Sequence, residues 1–393
     1  MMNEQKVPQL RFSGFEDEWE EKIFQDLFER RMERNNGQFG YDRWISVAKM
    51  YFQEPEKVTS NNIDTRTYVM RKSDIAFEGH SNKEFKLGRF VENDIGDGVI
   101  SELFPIYKHK DEYNLSYWKY AIQNENIMFP KLTKCIEVSY TSSNKLDENF
   151  FLNEKILVPI VREQQKIGFF LSQIDTLIQT KTQKLESLKS VKKSLLQKCF
   201  PKDGETVPQM RFDGFSGDWE EKKFGDVVTR VTESSDTPQL PRVEYEDILS
   251  EGQLREDFFT KSSSKRGIHF RKNHILFGKL RAYLRNNILA TFEGIAVGDF
   301  WVLETKQLDS KFLFIMIGSN SFQEVANISA GSKMPRSDWS LVSDYNLFLP
   351  PTLAEQQKIG QFFSRYDSLI SLQQKEIDKL KTIKKSLLQK MFV

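Results

Sequence analysis

Cysteine and histidine are scarce in these 393 residues, with two of the first and four of the second. Cys135 and Cys199 stand far apart in unlike contexts, which excludes a disulfide framework and a cysteine-based zinc site and leaves two ordinary reduced thiols. His80, His109, His269 and His274 show no metal-ligand spacing and read as surface or core residues. No run approaches the roughly 20 apolar residues of a membrane span, and the opening MMNEQKVPQLRF has no apolar signal core. A cytoplasmic address and no membrane partner are expected. Net charge is only +1, which argues neither for nor against nucleic acid. Local crowding of Lys181, Lys184, Lys189, Lys192, Lys193 and Lys198, and of Arg266, Arg271, Lys272, Lys279, Arg281 and Arg285, says more, because a basic patch can bind phosphate in a neutral chain. For the first cluster the plainer reading is a solvated helix face.

Signatures of catalysis are also missing. A phosphate-cradling GxxxxGK[ST] loop does not occur. The one Pro-Pro pair, in LPPT at 349–352, lacks the Asn or Asp before it and the aromatic after it that an amino-methyltransferase tetrapeptide carries. The acidic stretch ENDIGDG at 92–98 has no following lysine in a nuclease register and reads as a turn. No catalytic residue and no metal ligand is assigned.

What the chain does have is an internal repeat. PQLRFSGFEDEWEEKIF at 8–24 returns as PQMRFDGFSGDWEEKKF at 208–224, with 11 of 17 positions identical. Residues 163–200, from EQQKIG to KKSLLQKCF, return at 355–392, from EQQKIG to KKSLLQKMF, with 21 of 38 identical. The stretches between, 25–162 and 225–354, share little. A duplication that kept its frame while the inserts diverged is expected of two inserts doing one kind of job on different targets. With pseudo-twofold packing, the PQLRF segment would lie beside the C-terminal helix and close the ring.

The repeated C-terminal blocks are long helices. Pro159 and Pro351 precede them, and Glu163 and Glu355 sit in first turns that favour a carboxylate. The first apolar stripe reads Ile167, Phe170, Ile174, Leu177, then Leu185, Leu188, Val191, Leu195; the second reads Ile359, Phe362, Tyr366, Leu369, then Ile377, Leu380, Ile383, Leu387. This 3,4 spacing predicts a coiled-coil seam, with a shift where Lys181, Lys184, Gln373 and Glu376 interrupt it. Thirty-six residues give a rod of roughly 54 Å, longer than the roughly 34 to 36 Å of one DNA turn. Antiparallel pairing within the chain would hold two domains apart; pairing between two chains is the alternative use of such a seam.

The expected architecture is α+β. A first recognition domain at 1–150 and a second at 201–345, each of mixed α/β character, are separated by framework helices at 151–200 and 346–393. In the second insert HILFGKLRAYLRN (274–286) reads as a strand and basic turn, IAVGDFWVLE (295–304) as another strand, 309–328 as a helix and 327–339 as a polar loop. In the first, 73–90, 113–122 and 140–146 are the corresponding strand with turn, helix and loop. Polar and basic loops on a rigid body suit groove reading: Lys and Arg position on phosphate, while Asn, Gln, Ser and Arg meet base edges.

Two unlike domains, each led by PQ(L/M)RF..F...WE and closed by EQQKIG with a long helix ending KKSLLQK, resemble the specificity subunit of type I restriction-modification systems. ILFGKLRAYLRN (275–286) and GRFVENDIGDGVIS (88–101) look like its target-recognition domains. The resemblance spans essentially the whole chain. It implies a non-catalytic subunit that reads an asymmetric bipartite site in double-stranded DNA, one half per domain. It implies two methyltransferase subunits and two restriction-translocase subunits as partners. S-adenosylmethionine, ATP and Mg belong to those partners, and no cofactor to this chain. The framework contacts, by resemblance, fall along Ile167, Phe170, Ile174, Leu177, Leu188, Leu195, Ile359, Phe362, Tyr366, Leu369, Leu380 and Leu387.

The family does not fix which side chains meet DNA, so they are placed by chemistry. In the first domain they are Lys83, Lys86 and Arg89 with Ser142, Ser143, Asn144 and Lys145. In the second they are Lys279, Arg281, Arg285, Lys333 and Arg336.

Overall fold

A computed structural model describes residues 6–59, 62–138, 143–202, 204–249, 252–255, 258–260, 264–328 and 334–393. The chain forms two compact units, one of residues 1–180 with 377–393 and one of residues 181–376. No helix among the described residues is long and apolar enough to cross a membrane.

In the first unit Glu20–Ile23 pairs antiparallel with Lys155–Val158. A four-stranded antiparallel sheet runs in the order Phe28–Arg31, Ile106–His109, Ile75–Glu78, Arg89–Glu92. Strands Thr67–Met70 and Gly98–Ser101 pair beside it. The core is aromatic: Phe151 stacks on Phe24 at 4.6 Å and on Phe90 at 4.5 Å, and Trp118 meets Phe28 edge-on at 5.3 Å. Rings in these geometries add to the energy of their burial.

The second unit repeats this plan with other side chains. Glu220–Lys223 pairs with Asn346–Leu349, and the sheet order is Val228–Val231, Phe300–Thr305, Ile275–Gly278, Asn287–Leu289. Strands at 28, 67 and 75 in the first unit start again at 228, 267 and 275, the offset of the PQ(L/M)RF repeat. The turn before the central strand keeps its left-handed residue, Ser73 at φ 79° and Asn273 at φ 71°. Val69 N donates to Glu33 O at 2.8 Å, and His269 N to Glu233 O at 2.8 Å. The frame therefore reaches into inserts whose sequences share little.

Two expected elements are each divided. The helix expected over 309–328 is two, Ser310–Ile317 and Asn320–Ala326, separated at Gly318 and restarted by the Ser319 cap. The strand expected over 295–304 is Gly294–Ala296 followed by Phe300–Thr305, because Gly298 at φ 101° turns the chain between them.

The ends of the framework helices seat the PQ(L/M)RF segments. Leu10 N donates to Lys390 O at 2.8 Å and Trp19 meets Phe392 edge-on at 6.3 Å, so the N-terminal segment does lie against the C-terminal helix. In the second unit Met210 N donates to Lys198 O at 2.8 Å and Trp219 meets Phe200 at 6.0 Å.

Each framework helix has 38 residues, Val161–Lys198 and Leu353–Lys390. Within the second unit Lys181 reaches Glu376 at 2.6 Å and Lys192 bonds Asp367, so ascending numbers meet descending ones and the helices run antiparallel. The equivalent pair in the first unit is Lys384 and Asp175, at 2.7 Å.

The seam does not shift. Its inward positions run Ile167, Leu171, Ile174, Ile178, Lys181, Leu185, Leu188, Lys192, Leu195 in unbroken 3,4 spacing, and likewise Ile359, Phe363, Tyr366, Ile370, Gln373, Ile377, Leu380, Lys384, Leu387. The expected stripe erred by one residue at Phe170, Leu177, Phe362 and Leu369, where a neighbour is also apolar, and at Val191 and Ile383, 46% and 41% exposed, where the inward neighbour is Lys192 or Lys384. Leu177 and Leu369 are about half exposed, at 44% and 51%. Phe170 and Phe362 turn instead to Phe12 and Phe212, at 5.7 and 5.3 Å. Of the polar residues expected to interrupt the seam, Lys181 and Gln373 lie in it while Lys184 and Glu376 are exposed outside it. Lys181, Lys192 and Lys384 are held in the seam by carboxylates.

Candidate nucleic-acid interface

The EQQKIG motif is a clasp between framework and recognition domain. Its Glu accepts two hydrogen bonds from the PQ(L/M)RF arginine: Arg11 on Glu163 at 2.7 and 2.8 Å, Arg211 on Glu355 at 2.8 Å twice. Each carboxylate is buried, and the bidentate fork is the strong form of this pair. The first Gln bridges: Gln164 Oε1 accepts from Asn114 N at 3.3 Å while its Nε2 donates to Pro159 O at 3.0 Å. Gln356 does the same with Asp309 N and Pro350 O. The Gly lets the cap of the next helix close in. A Cβ at Gly168 would stand 2.6 Å from Tyr117 N, and one at Gly360 would stand 2.8 Å from Phe312 N.

On this support the turn after the central strand meets the loop before the last short helix. In the first unit Asn144 N donates to Gly79 O at 3.0 Å. Ser143, Asn144 and Lys145 are thereby brought to the turn that carries Lys83 and Lys86, and both of those lysines are exposed. Arg89 differs from them. Its guanidinium bonds Ala48 O, lies 4.7 Å from the Phe85 ring centroid and faces the buried Glu78 at 3.8 Å, so it is committed within the fold. Ser142 lies outside the described residues.

In the second unit Arg281 N donates to Pro335 O at 2.8 Å and Ser337 N to Lys279 O at 2.9 Å. Arg336 and Lys279 share Asp299, at 3.1 and 3.7 Å, and the Arg336 hydrogen bonds hold that carboxyl below its ordinary range. Arg281 and Arg285 flank a single turn, Ala282–Leu284, both in the left-handed region at φ 50° and 55° and both exposed. Between them Tyr283 is 56% exposed. An exposed tyrosine between two arginines is a further candidate, one that charge counting overlooks although the sequence RAYLR prints it. Lys333 lies outside the described residues.

The scarce residue types take structural places. Cys135 and Cys199 are buried free thiols, and burial pushes Cys135 up to about 11. His109 stacks on Tyr113 at 3.3 Å, and burial brings it down to about 3. Among the described residues no group of three or more His, Cys, Asp or Glu is arranged to hold a metal.

The sequence is similar to that of the MjaVIII specificity subunit of a type I restriction enzyme from Methanocaldococcus jannaschii. The two are 23% identical over 379 residues, 89% of this chain and 84% of the relative. It is also similar to the MjaIX specificity subunit of the same organism, at 26% identity over 327 residues, 75% of this chain and 69% of the relative. The fold is similar to the crystal structure of a type I restriction-modification S subunit from M. genitalium, with a TM-score of 0.63 at 13% identity, covering 98% of this chain and 99% of that one. The family model for the type I restriction modification DNA specificity domain matches residues 95–190 and 216–382. A duplicated frame with two different loop platforms, matched twice by one recognition-domain model, places this chain in the type I restriction-modification DNA specificity family, that of the non-catalytic recognition subunits.

Proposed function

We propose that this chain reads an asymmetric, bipartite site in double-stranded DNA, the first recognition domain reading one half and the second the other. The observation that carries this is the same turn-and-loop platform built twice with different side chains, His80 to Lys86 with 143–145 in one unit and Lys279 to Arg285 with 334–337 in the other. Exposed Lys and Arg would position the platform on phosphate, and polar side chains would read base edges. Side chains already paired within the fold, such as Arg89 and Arg336, would shape the platform.

The framework helices would set the interval between the half-sites and carry two methyltransferase subunits, with two restriction-translocase subunits in the larger assembly. Each helix is long enough to serve, 38 residues or about 57 Å. S-adenosylmethionine, ATP and Mg would act on those partners. In this reading the chain contributes binding and position and takes no part in the chemistry.

The test is to assemble the chain with its methyltransferase subunit, supply S-adenosylmethionine and genomic DNA, and sequence the methylated adenines. A split motif is expected, with no methylation from this chain alone. Replacing residues 25–150 by the insert of another family member is expected to change one half of the motif only. Change in both halves, or in neither, overturns the division of labour.

A further inference from the structure

The lysines of the first framework helix and the αL turn of the second domain share a cleft of about 810 Å³ within the second unit. Lys189, Lys192, Lys193, Lys202 and Arg285 line it, against Asp367 and Glu324. Lys192 and Asp367 satisfy one another across the seam. Lys189 lies 3.9 Å from Glu186, which leaves Lys193, Lys202 and Arg285 facing Glu324, and all three are exposed. Arg285 is held at the rim by its hydrogen bond to Gly318 O, at 3.3 Å.

The matching place in the first unit is closed. There Tyr120 bonds Asp175 at 2.7 Å beneath Lys384, whose ammonium lies 5.1 Å from the ring, and Asn124 Nδ2 donates to Leu388 O at 2.8 Å. Helix caps at Asn114 and Asp309 align the two recognition helices, so Ile315 stands where Tyr120 does and Ser319 where Asn124 does. Both replacements are smaller, and neither reproduces those bonds. The second domain therefore lacks these two bridges, while the lysines at the cleft wall recur in both framework helices, Lys189 and Lys193 as Lys381 and Lys385.

We propose that this cleft binds the phosphate backbone of the DNA flanking the second half-site, with Lys193 and Lys202 as its contacts and Arg285, at the rim, joining it to the reading platform. The inference rests on the DNA-reading function proposed above and adds an anchor that carries no sequence information. A clustered set of cations at a concave wall suits phosphate, and the cleft has the size for one or two phosphates of a strand.

Phosphate contacts appear in the salt dependence, each contributing about 0.9 to the slope of log affinity against log salt. The chain assembled with its methyltransferase subunit would be titrated with KCl on a labelled duplex containing its methylated motif and on a scrambled duplex. Lys193→Ala with Lys202→Ala is expected to lower the slope by about 1 to 2. Affinity for both duplexes would fall alike and the methylated motif would stay the same. Lys193→Arg with Lys202→Arg is expected to keep the parent slope. Lys381→Ala with Lys385→Ala, at the closed place, is expected to leave it unchanged. A parent slope in the Lys193→Ala, Lys202→Ala variant overturns the proposal, as does an equal fall in the Lys381 and Lys385 variant. A parent complex with no preference for its motif would instead refute the DNA-reading function itself.

Discussion

Arg11 and Glu163, 152 residues apart, form a two-bond ion pair whose carboxylate side chain is 1% exposed, and Arg211 and Glu355 form the same pair in the other unit. Each ties the lead-in segment of a recognition domain to the first turn of the framework helix that closes it. Removing one partner leaves a buried charge, which costs about 3 to 5 kcal/mol. Arg11→Ala is expected to destabilise by that order, measured by denaturant unfolding. Arg11→Lys is expected to recover only part of the loss, since an ammonium cannot make the fork.

Gly168 and Gly360 are tested by adding one methyl group. Alanine at either would meet the backbone nitrogen of the neighbouring recognition helix at 2.6 or 2.8 Å, and a helix start cannot yield as a flexible side chain can. Overpacking of this kind costs about 1 to 3 kcal/mol. Calorimetry of the single variants is expected to show a lowered melting transition in each. An unchanged Tm in Gly168→Ala would mean that the helix and the framework do not approach this closely.

Much of this frame was legible in the sequence because duplication printed it twice. Arg11 and Arg211, Glu163 and Glu355, and Gly168 and Gly360 are marked by identity at two offsets. The clasp they form was not legible, since no local rule joins residues 152 apart. At the seam, periodicity was correct but phase was ambiguous wherever two apolar residues are adjacent, as at Phe170 with Leu171 and Leu177 with Ile178. Placing DNA contacts by charge was least informative. Lys279 and Arg336 look like the exposed Arg281 and Arg285 in sequence, and only folding reveals that Asp299 holds the first two.

Lys192 with Asp367, and Lys384 with Asp175, put a charged pair at equivalent layers of a largely apolar seam. Polar residues at such layers fix register at a cost in stability. A double-mutant cycle on Lys192→Met and Asp367→Leu is expected to give a coupling of about 0.5 to 3 kcal/mol. The double variant is expected to be at least as stable as the parent, since apolar groups often replace a desolvated pair without loss. Lys192→Met alone is expected to be the worst of the three.

Glu92 is a buried carboxyl without a clasp. It is 1% exposed, neither carboxyl oxygen has a hydrogen-bond partner among the described residues, and burial, with Asp94 nearby, pushes it up to about 9. The folded state therefore keeps a proton that the unfolded chain releases near its ordinary value of about 4.3. Folding binds the proton, so stability is greatest below that value and declines as pH rises, by up to about 1.4 kcal/mol per pH unit, until the folded carboxyl ionises near 9. Burial also raises Asp74 to about 6, which adds a shallower decline of the same sign between about 4 and 6. Glu92→Gln keeps the shape and removes the proton. Unfolding measured from pH 5 to pH 9 is expected to show a flatter profile for this variant and a higher Tm than the parent at pH 8. Parallel profiles would mean that Glu92 is ionised in the folded protein and that a compensating cation reaches it.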